Sequence, residues 1–340
     1  MSASLRHRLP VRVMLLAVLP LLFVMSLATG PASLTWSEVI GILSGWDSPS
    51  SGPGIILFES RLPRALTALG AGAGLALCGL MMQTLFRNPL AGPSILGITS
   101  GASLAVALLI LGQGVLWSSS VYPSSGWVAT AAMLGAAAIL AVVMAVSGRL
   151  GNTNSLLLFG ILLGHFVGAV ESVLQHRNAG GAVRAFVVWG MGRFSDTTVP
   201  QAALLIGVVG IAAFVLYRLA TSMNLYLLGE TYAESMGLRR RRFQWMMVGI
   251  TGILAGLITA WCGPVAFIGL AMPHVARMVL RTSNHRVLLV PLLVIGASAG
   301  LLSDLIGKTF SLPLNAVTSL IGVPVVIAVI FQSGKTKSVV

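Results

Sequence analysis

The chain predicts an all-α, polytopic membrane protein with about ten transmembrane helices. Three observations point there. Charged residues are 9% of the 340 residues and hydrophobic ones 56%, whereas a soluble domain carries about 25% charged residues. Apolar runs of about 20 residues, long enough to cross a bilayer as helix, recur along the chain. The basic excess, a net charge of +13, sits in short segments between those runs, which is the positive-inside pattern and not a nucleic-acid footprint.

In chain order the candidate spans are 12–29, 61–85, 93–112, 128–148, 155–176, 200–220, 243–262, 265–281, 287–305 and 314–332. An even number of spans puts both termini on one side. With cytoplasmic ends, fifteen of the 21 Lys and Arg residues fall inside, and six fall outside: Arg61, Arg64, Arg177, Arg184, Arg193 and Lys308. That ratio predicts a multi-pass protein with both N and C termini cytoplasmic. Residues 12–29 also fit a signal peptide, since Ser26-Leu27-Ala28 mimics a cleavage site. Span 265–281 is the shortest and holds Pro273.

The connections carry their own signals. Segment 30–60 holds TWSEVIGILSG, which reads as a short amphipathic surface helix capped by Thr35 or Ser37. The turn Arg87-Asn88-Pro89-Leu90-Ala91-Gly92-Pro93 is fixed by two prolines. Within it Asn88 is the side chain able to satisfy stray backbone groups. Gly151-Asn152-Thr153-Asn154 is a small polar turn in which Thr153 or Asn154 is a plausible helix cap. Segment 221–242 differs in texture: a polar turn at Gly229-Glu230, a short helix, Gly237 as stop, then four arginines. A loop of about 20 residues with its own helix is more often functional than a plain connector.

Glycines at four-residue spacing recur: Gly70/Gly74, Gly97/Gly101, Gly160/Gly164/Gly168, Gly252/Gly256 and Gly296/Gly300. Each reads as close helix packing in lipid; the triple also suits a narrow, smooth translocation surface. Prolines in Cys262-Gly263-Pro264 and Met272-Pro273-His274 bracket FIGLA and predict irregular backbone covered by protein.

Chemistry-bearing residues are sparse. Cys78 and Cys262 lie in apolar stretches and read as packing residues. His274 has no second ligand at metal spacing, so no metal site, cofactor or catalytic residue is expected. No GxxxxGK[ST] loop occurs, so any ATP must be bound by another chain. Arg61 and Arg64 share one face at a helix start, against both the helix dipole and the charge bias. They suit an acidic partner outside, or snorkelling to lipid phosphates. Glu171, His165 and Asp304 are ionisable residues within spans and therefore functional suspects. They support an alternative reading as a proton-coupled secondary carrier.

The stretch from Arg61 to Ala102, RLPRALTALGAGAGLALCGLMMQTLFRNPLAGPSILGITSGA, resembles the most distinctive stretch of the FecCD-type permease family of type II ABC importers. LGETYAESMGL, GPVAFIGLAMPHVARM, NHRVLL and LPLNAVTSLIGVPVVI are similar to later family stretches in the same order, so the resemblance spans about 34–332. It implies a single transmembrane permease domain over 1–340 in the inner membrane, and no enzyme activity in this chain. It implies a homo- or heteromeric permease dimer with two cytoplasmic ATPase subunits and a periplasmic or lipid-anchored substrate-binding protein. The cargo would be a large iron–siderophore chelate, haem or cobalamin, with iron chelates the commonest in the family.

By the same resemblance, Arg61, Arg64 and Lys308 dock the binding protein. Leu228, Gly229, Glu230, Ala233, Met236 and Gly237 couple to the ATPase. Asn88, Leu90, Thr153 and Asn154 form the inner gate, and the fifth and tenth spans, with Gly160, Gly164 and Gly168, line or pack the pathway. Lys308 stands where Arg is commoner, Asn154 where a small hydroxyl is known, and Leu312-Pro313-Leu314-Asn315 departs from the usual pattern.

Overall fold

The computed structural model describes residues 17–30, 32, 34–45, 48–112, 123–147, 149–150, 153–178 and 180–337. Among these every regular element is helical. Thirteen helices follow in order: α1 (Ala17–Ala28), α2 (Trp36–Leu43), α3 (Gly52–Leu85), α4 (Ile98–Leu111), α5 (Ser125–Ser147), α6 (Thr153–His176), α7 (Gly181–Gly190), α8 (Val199–Leu227), α9 (Glu230–Ser235), α10 (Arg240–Cys262), α11 (Ile268–Leu280), α12 (His285–Phe310) and α13 (Leu314–Lys337). Six of them (α3, α5, α6, α8, α10 and α12) are long and apolar enough to cross a bilayer, and α1, α4, α7, α11 and the Leu314–Ala328 part of α13 are shorter apolar stretches.

Each of the ten expected spans overlaps one helix. The differences lie at the edges. Residues 12–16 of the first span, and Gly151 and Asn152 of the polar turn, fall outside the described residues. α3 begins nine residues before Arg61, through a π-helical turn at Ile56–Arg61. Helix α7 lies where the sequence predicts only a connection; ten residues are too few to register as a span. α2 forms as predicted: Thr35 accepts from the Glu38 amide, and Glu38 returns a bond to the Thr35 amide at 2.7 Å, a reciprocal capping box. Those bonds hold the Glu38 carboxyl below its ordinary value.

The chain divides into two compact units. The first comprises residues 1–77, 194–220 and 266–340. In it α3 meets α12 backbone to backbone: a Cβ on Gly72 would strike the Gly296 carbonyl, and one on Gly300 would strike that of Ala68. Gly72, between the two glycines of the expected pair, is thus the one the crossing requires. Thr67 on α3 bonds Thr197 at 2.5 Å. α11 runs unbroken through Pro273, contrary to the predicted break there. Pro273 is its sixth residue, beyond the first turn, so the helix forgoes the bond to the Gly269 carbonyl there and continues. The irregular backbone before α11 has cover, since the Ala266 amide donates to Asn315 Oδ1 at 3.0 Å.

The second unit comprises residues 78–193 and 221–265. Here Gly101 of α4 and Gly135 of α5 interlock, each placed where a Cβ would strike the other's carbonyl. Gly252 of α10 sits against Leu140 of α5, and Gly160 of α6 against the Ile95 carbonyl. Both cysteines are buried, and neither is in a disulfide.

Candidate functional site

Two polar clusters stand out against the apolar helices, one in each unit. In the first, the π-helical turn delivers Arg61 toward α1. Its Nη1 donates to the carbonyls of Leu27 and Ala28 at 2.7 and 2.6 Å, and its Nη2 to that of Ala32. Arg61 is therefore a cap for the end of α1, where orphan carbonyls and the helix dipole both favour a cation. It is buried, at 4% exposure.

One turn on, Arg64 Nε meets Asp304 Oδ1 at 2.7 Å. The other carboxylate oxygen takes Lys308 Nζ at 2.6 Å, four residues along α12. Ser26 closes the set: its hydroxyl donates to Asp304 and accepts from Lys308 at 3.1 Å. One carboxylate thus serves two cations, and charges removed from water persist only with such partners. Of the three basic residues expected to dock a partner, Arg61 and Lys308 are enclosed. Arg64 keeps 25% of its side chain exposed.

The second cluster centres on Glu230, the first residue of α9. Gly229 at φ 127° and Gly237 at φ 87° bracket this six-residue helix, backbone that only glycine adopts without strain. The Leu238 amide reaches the Ala233 carbonyl and the Gly237 amide that of Glu234, a Schellman closure. Ala233 packs inward, whereas Leu228, Tyr232 and Met236 remain exposed. Glu230 Oε1 accepts from Thr153 Oγ1 at 2.6 Å and Tyr226 OH at 2.9 Å. Its Oε2 pairs with Arg240 at 2.9 Å, and Arg87 stands 3.9 Å from Oε1. Gln244 adds a bond to Thr153 at 3.1 Å. Burial pushes the Glu230 carboxyl up, but the Thr153 and Tyr226 bonds and the charges of Arg240 and Arg87 outweigh it and hold it below 4.5.

The residues expected at the inner gate divide. Asn88 Oδ1 accepts from the Leu90 amide at 2.9 Å, the backbone duty expected of it. Leu90 is exposed. Thr153 is not a cap: it is the first helical residue of α6, buried, with its hydroxyl turned to Glu230. Asn154 is exposed. The glycine triple also divides. Gly160 is packed against backbone, whereas Gly164 and Gly168 leave room beside a hollow of about 200 Å³ lined by Thr99, Ser100, Ser103, Val167, Glu171 and Pro264. Glu171 Oε1 lies buried there without a hydrogen-bond partner among the described residues. His165 is exposed, and Asp304 is committed to its ion pairs.

The model of the FecCD transport family matches residues 17–332. The chain belongs to that family. The vitamin B12 import system permease protein BtuC of Klebsiella pneumoniae is 35% identical over 285 residues, covering 82% of this chain and 83% of the relative. BtuC of Citrobacter koseri is 34% identical over 285 residues, covering 82% and 84%. Among solved structures, a metal-chelate type ABC transporter in an inward-facing conformation superposes with a TM-score of 0.80 at 30% identity, over 94% of this chain and 97% of that one. PsaBC of Streptococcus pneumoniae shares the fold at a TM-score of 0.50 and 14% identity. The protein is a multi-pass permease subunit of an ABC importer, and ATP hydrolysis belongs to a separate subunit.

Sequence reasoning missed three members of the permease's polar clusters. Tyr226 and Gln244 are isolated polar residues on apolar helices, and their bonds to Thr153 span 73 and 91 residues. A weak signal existed for Gln244, which lies one helical turn from Arg240. Ser26 gave none.

Proposed function

We propose that this permease carries a corrinoid, cobalamin first, inward across the membrane. The observation that carries the reading is the likeness over more than four fifths of the chain to permeases named for vitamin B12 import. The likeness to a metal-chelate transporter keeps ferric chelates as the comparison cargo. In this reading two copies of the permease, or one with a close relative, enclose the pathway, and both termini are cytoplasmic. α9 and its flanks offer Leu228, Tyr232 and Met236 to a cytoplasmic ATPase subunit, since apolar side chains projecting from and beside a short polar helix suit burial by a partner. Arg64, braced by Asp304 with Arg61 and Lys308 behind it, meets a carboxylate of the binding protein on the other side. Leu90 and Asn154 lie at the inner gate.

The test is uptake by proteoliposomes holding the permease, its ATPase and its binding protein. Cobalamin is expected to accumulate only with ATP inside, and ferric hydroxamate and haem are expected not to. Accumulation of a ferric chelate in place of cobalamin overturns the cargo. Uptake by the permease alone under a proton gradient overturns the ATP-driven reading.

A further inference from the structure

Glu230 belongs by position to the helix that faces the ATPase, and Thr153 to the first turn of α6. They lie 77 residues apart in sequence and 2.6 Å apart in space. Nothing covalent near either residue requires this. α9 is six residues long, too short to hold its place by its own hydrogen bonds. Its position is set by Ala233, packed inward, and by the Glu230 carboxylate. That carboxylate reaches the ends of four other segments: the turn after α3 through Arg87, the start of α6 through Thr153, the end of α8 through Tyr226 and the start of α10 through Arg240. Gln244 braces Thr153 from a second side, and Phe243 packs on Tyr226 with the rings tilted and their centroids 4.9 Å apart.

We propose that Glu230 and Thr153 form a latch that transmits movement of α9 directly to the first turn of α6. Thr153 is then a positioning residue for the gating step and not a wall of the gate; that role falls to its exposed neighbour Asn154. The inference rests on the reading that α9 docks on an ATPase. The latch suits a moving part. A carboxylate holding a hydroxyl at 2.6 Å is a strong, directional bond. It fixes the direction of the coupling, whereas apolar packing is non-directional.

The experiment uses the full complex of permease, ATPase and binding protein in liposomes, reading cargo moved per ATP hydrolysed. Thr153→Val keeps the shape of the side chain and removes the donor; Thr153→Ser keeps the donor. With Thr153→Val the ratio is expected to fall about tenfold, the factor carried by one charge-assisted bond. Thr153→Ser restores it, a rescue that a merely space-filling role does not predict. Thr153→Val combined with Glu230→Ala is expected to be no worse than the poorer single variant, because both cut one link. A wild-type ratio in Thr153→Val, or additive losses in the double variant, overturns the latch. Should Thr153→Val fail to assemble, Glu230→Leu, which removes the acceptor, carries the same test, with a lowered ratio supporting the latch and an unchanged one overturning it. Absence of ATP-driven uptake by the unaltered complex defeats the importer reading instead, so the two failures are distinct.

Discussion

Asp304 holds two cations with one side chain, and this makes it the most exacting residue of the first unit. It is 2% exposed and pairs with Arg64 and Lys308 at 2.7 and 2.6 Å. Asp304→Ala leaves Lys308 enclosed without a counter-charge. We expect a loss of about 3–5 kcal/mol, the usual cost of breaking one side of a buried pair. It would be read as a lower Tm of the detergent-solubilised protein. Asp304→Ala with Lys308→Met is expected to recover part of that loss, because the stranded charge is gone as well. No recovery in the double variant would mean that the charge on Lys308 finds water. Arg61 is exacting in another way. Its cation serves carbonyls, so Arg61→Lys keeps the charge and loses the fork that reaches three oxygens. The sequence placed Arg61 and Arg64 at a helix start, against the dipole, whereas α3 begins at Gly52 and carries both beyond its first two turns. What it could not supply was the partners, which lie on α1 and α12, 34 and 240 residues away.

At the scale of the element, glycine spacing alone did not say which glycines bear packing. Gly160 and Gly168 belong to the same four-residue spacing on α6, yet a Cβ on Gly160 would strike backbone and one on Gly168 would meet nothing within 4 Å. Gly160→Ala is therefore expected to cost about 1–3 kcal/mol. Gly168→Ala is expected to be neutral or slightly stabilising, since alanine favours helix. Equal melting temperatures for the two variants would contradict the packing described here. Helix α9 was legible in full, because Gly229 and Gly237 announce both of its ends. Its attachment was not, because that depends on residues from four other segments.

The attachment also sets a pH dependence. The Glu230 carboxyl is depressed in the folded protein, so the stability it contributes is complete above its ordinary value of 4.5 and is lost as pH falls through the lower folded value. The difference in Tm between the wild type and Glu230→Gln is expected to be constant near neutrality and to narrow below 4.5. A difference that widens in acid would show that the shift has the opposite sign.

For the whole molecule, the class and the number of spans followed from composition and apolar run length, because a bilayer leaves a chain little choice but helices. The sequence could not show that each basic residue of the proposed docking face is already engaged within the chain. The consequence for docking is a graded response. Of the three, Arg64 alone keeps a quarter of its side chain exposed, so under the proposed docking it is the residue a binding protein would meet. Arg64→Glu is expected to weaken binding-protein affinity by about 2–5 kcal/mol, the range for truncating one partner of an enclosed pair, and to remove the salt dependence of binding. Arg61→Glu is expected to act through misfolding of the α1 connection and so to lower Tm together with affinity. Titration of the solubilised complex at two salt concentrations, beside its melting curve, separates the two effects. Unchanged affinity in Arg64→Glu would leave this face without a docking role.

The π-helical turn at Ile56–Arg61 has a meaning in chain length as well as in shape. A π turn is an α turn holding one residue too many. Deleting one residue between 56 and 60 and closing the turn to α would leave both Gly52–Ile55 and Arg61 onward in register, whereas a deletion in regular α-helix rotates one flank by about 100°. The same deletion within Leu62–Leu85 would swing Gly72 off the Gly296 carbonyl and part α3 from α12. The chain thus contains one place at the head of a membrane helix where a codon can be lost or gained cheaply. Length differences among family members are expected to collect there and in the segment before it, and to be absent from the following 24 residues.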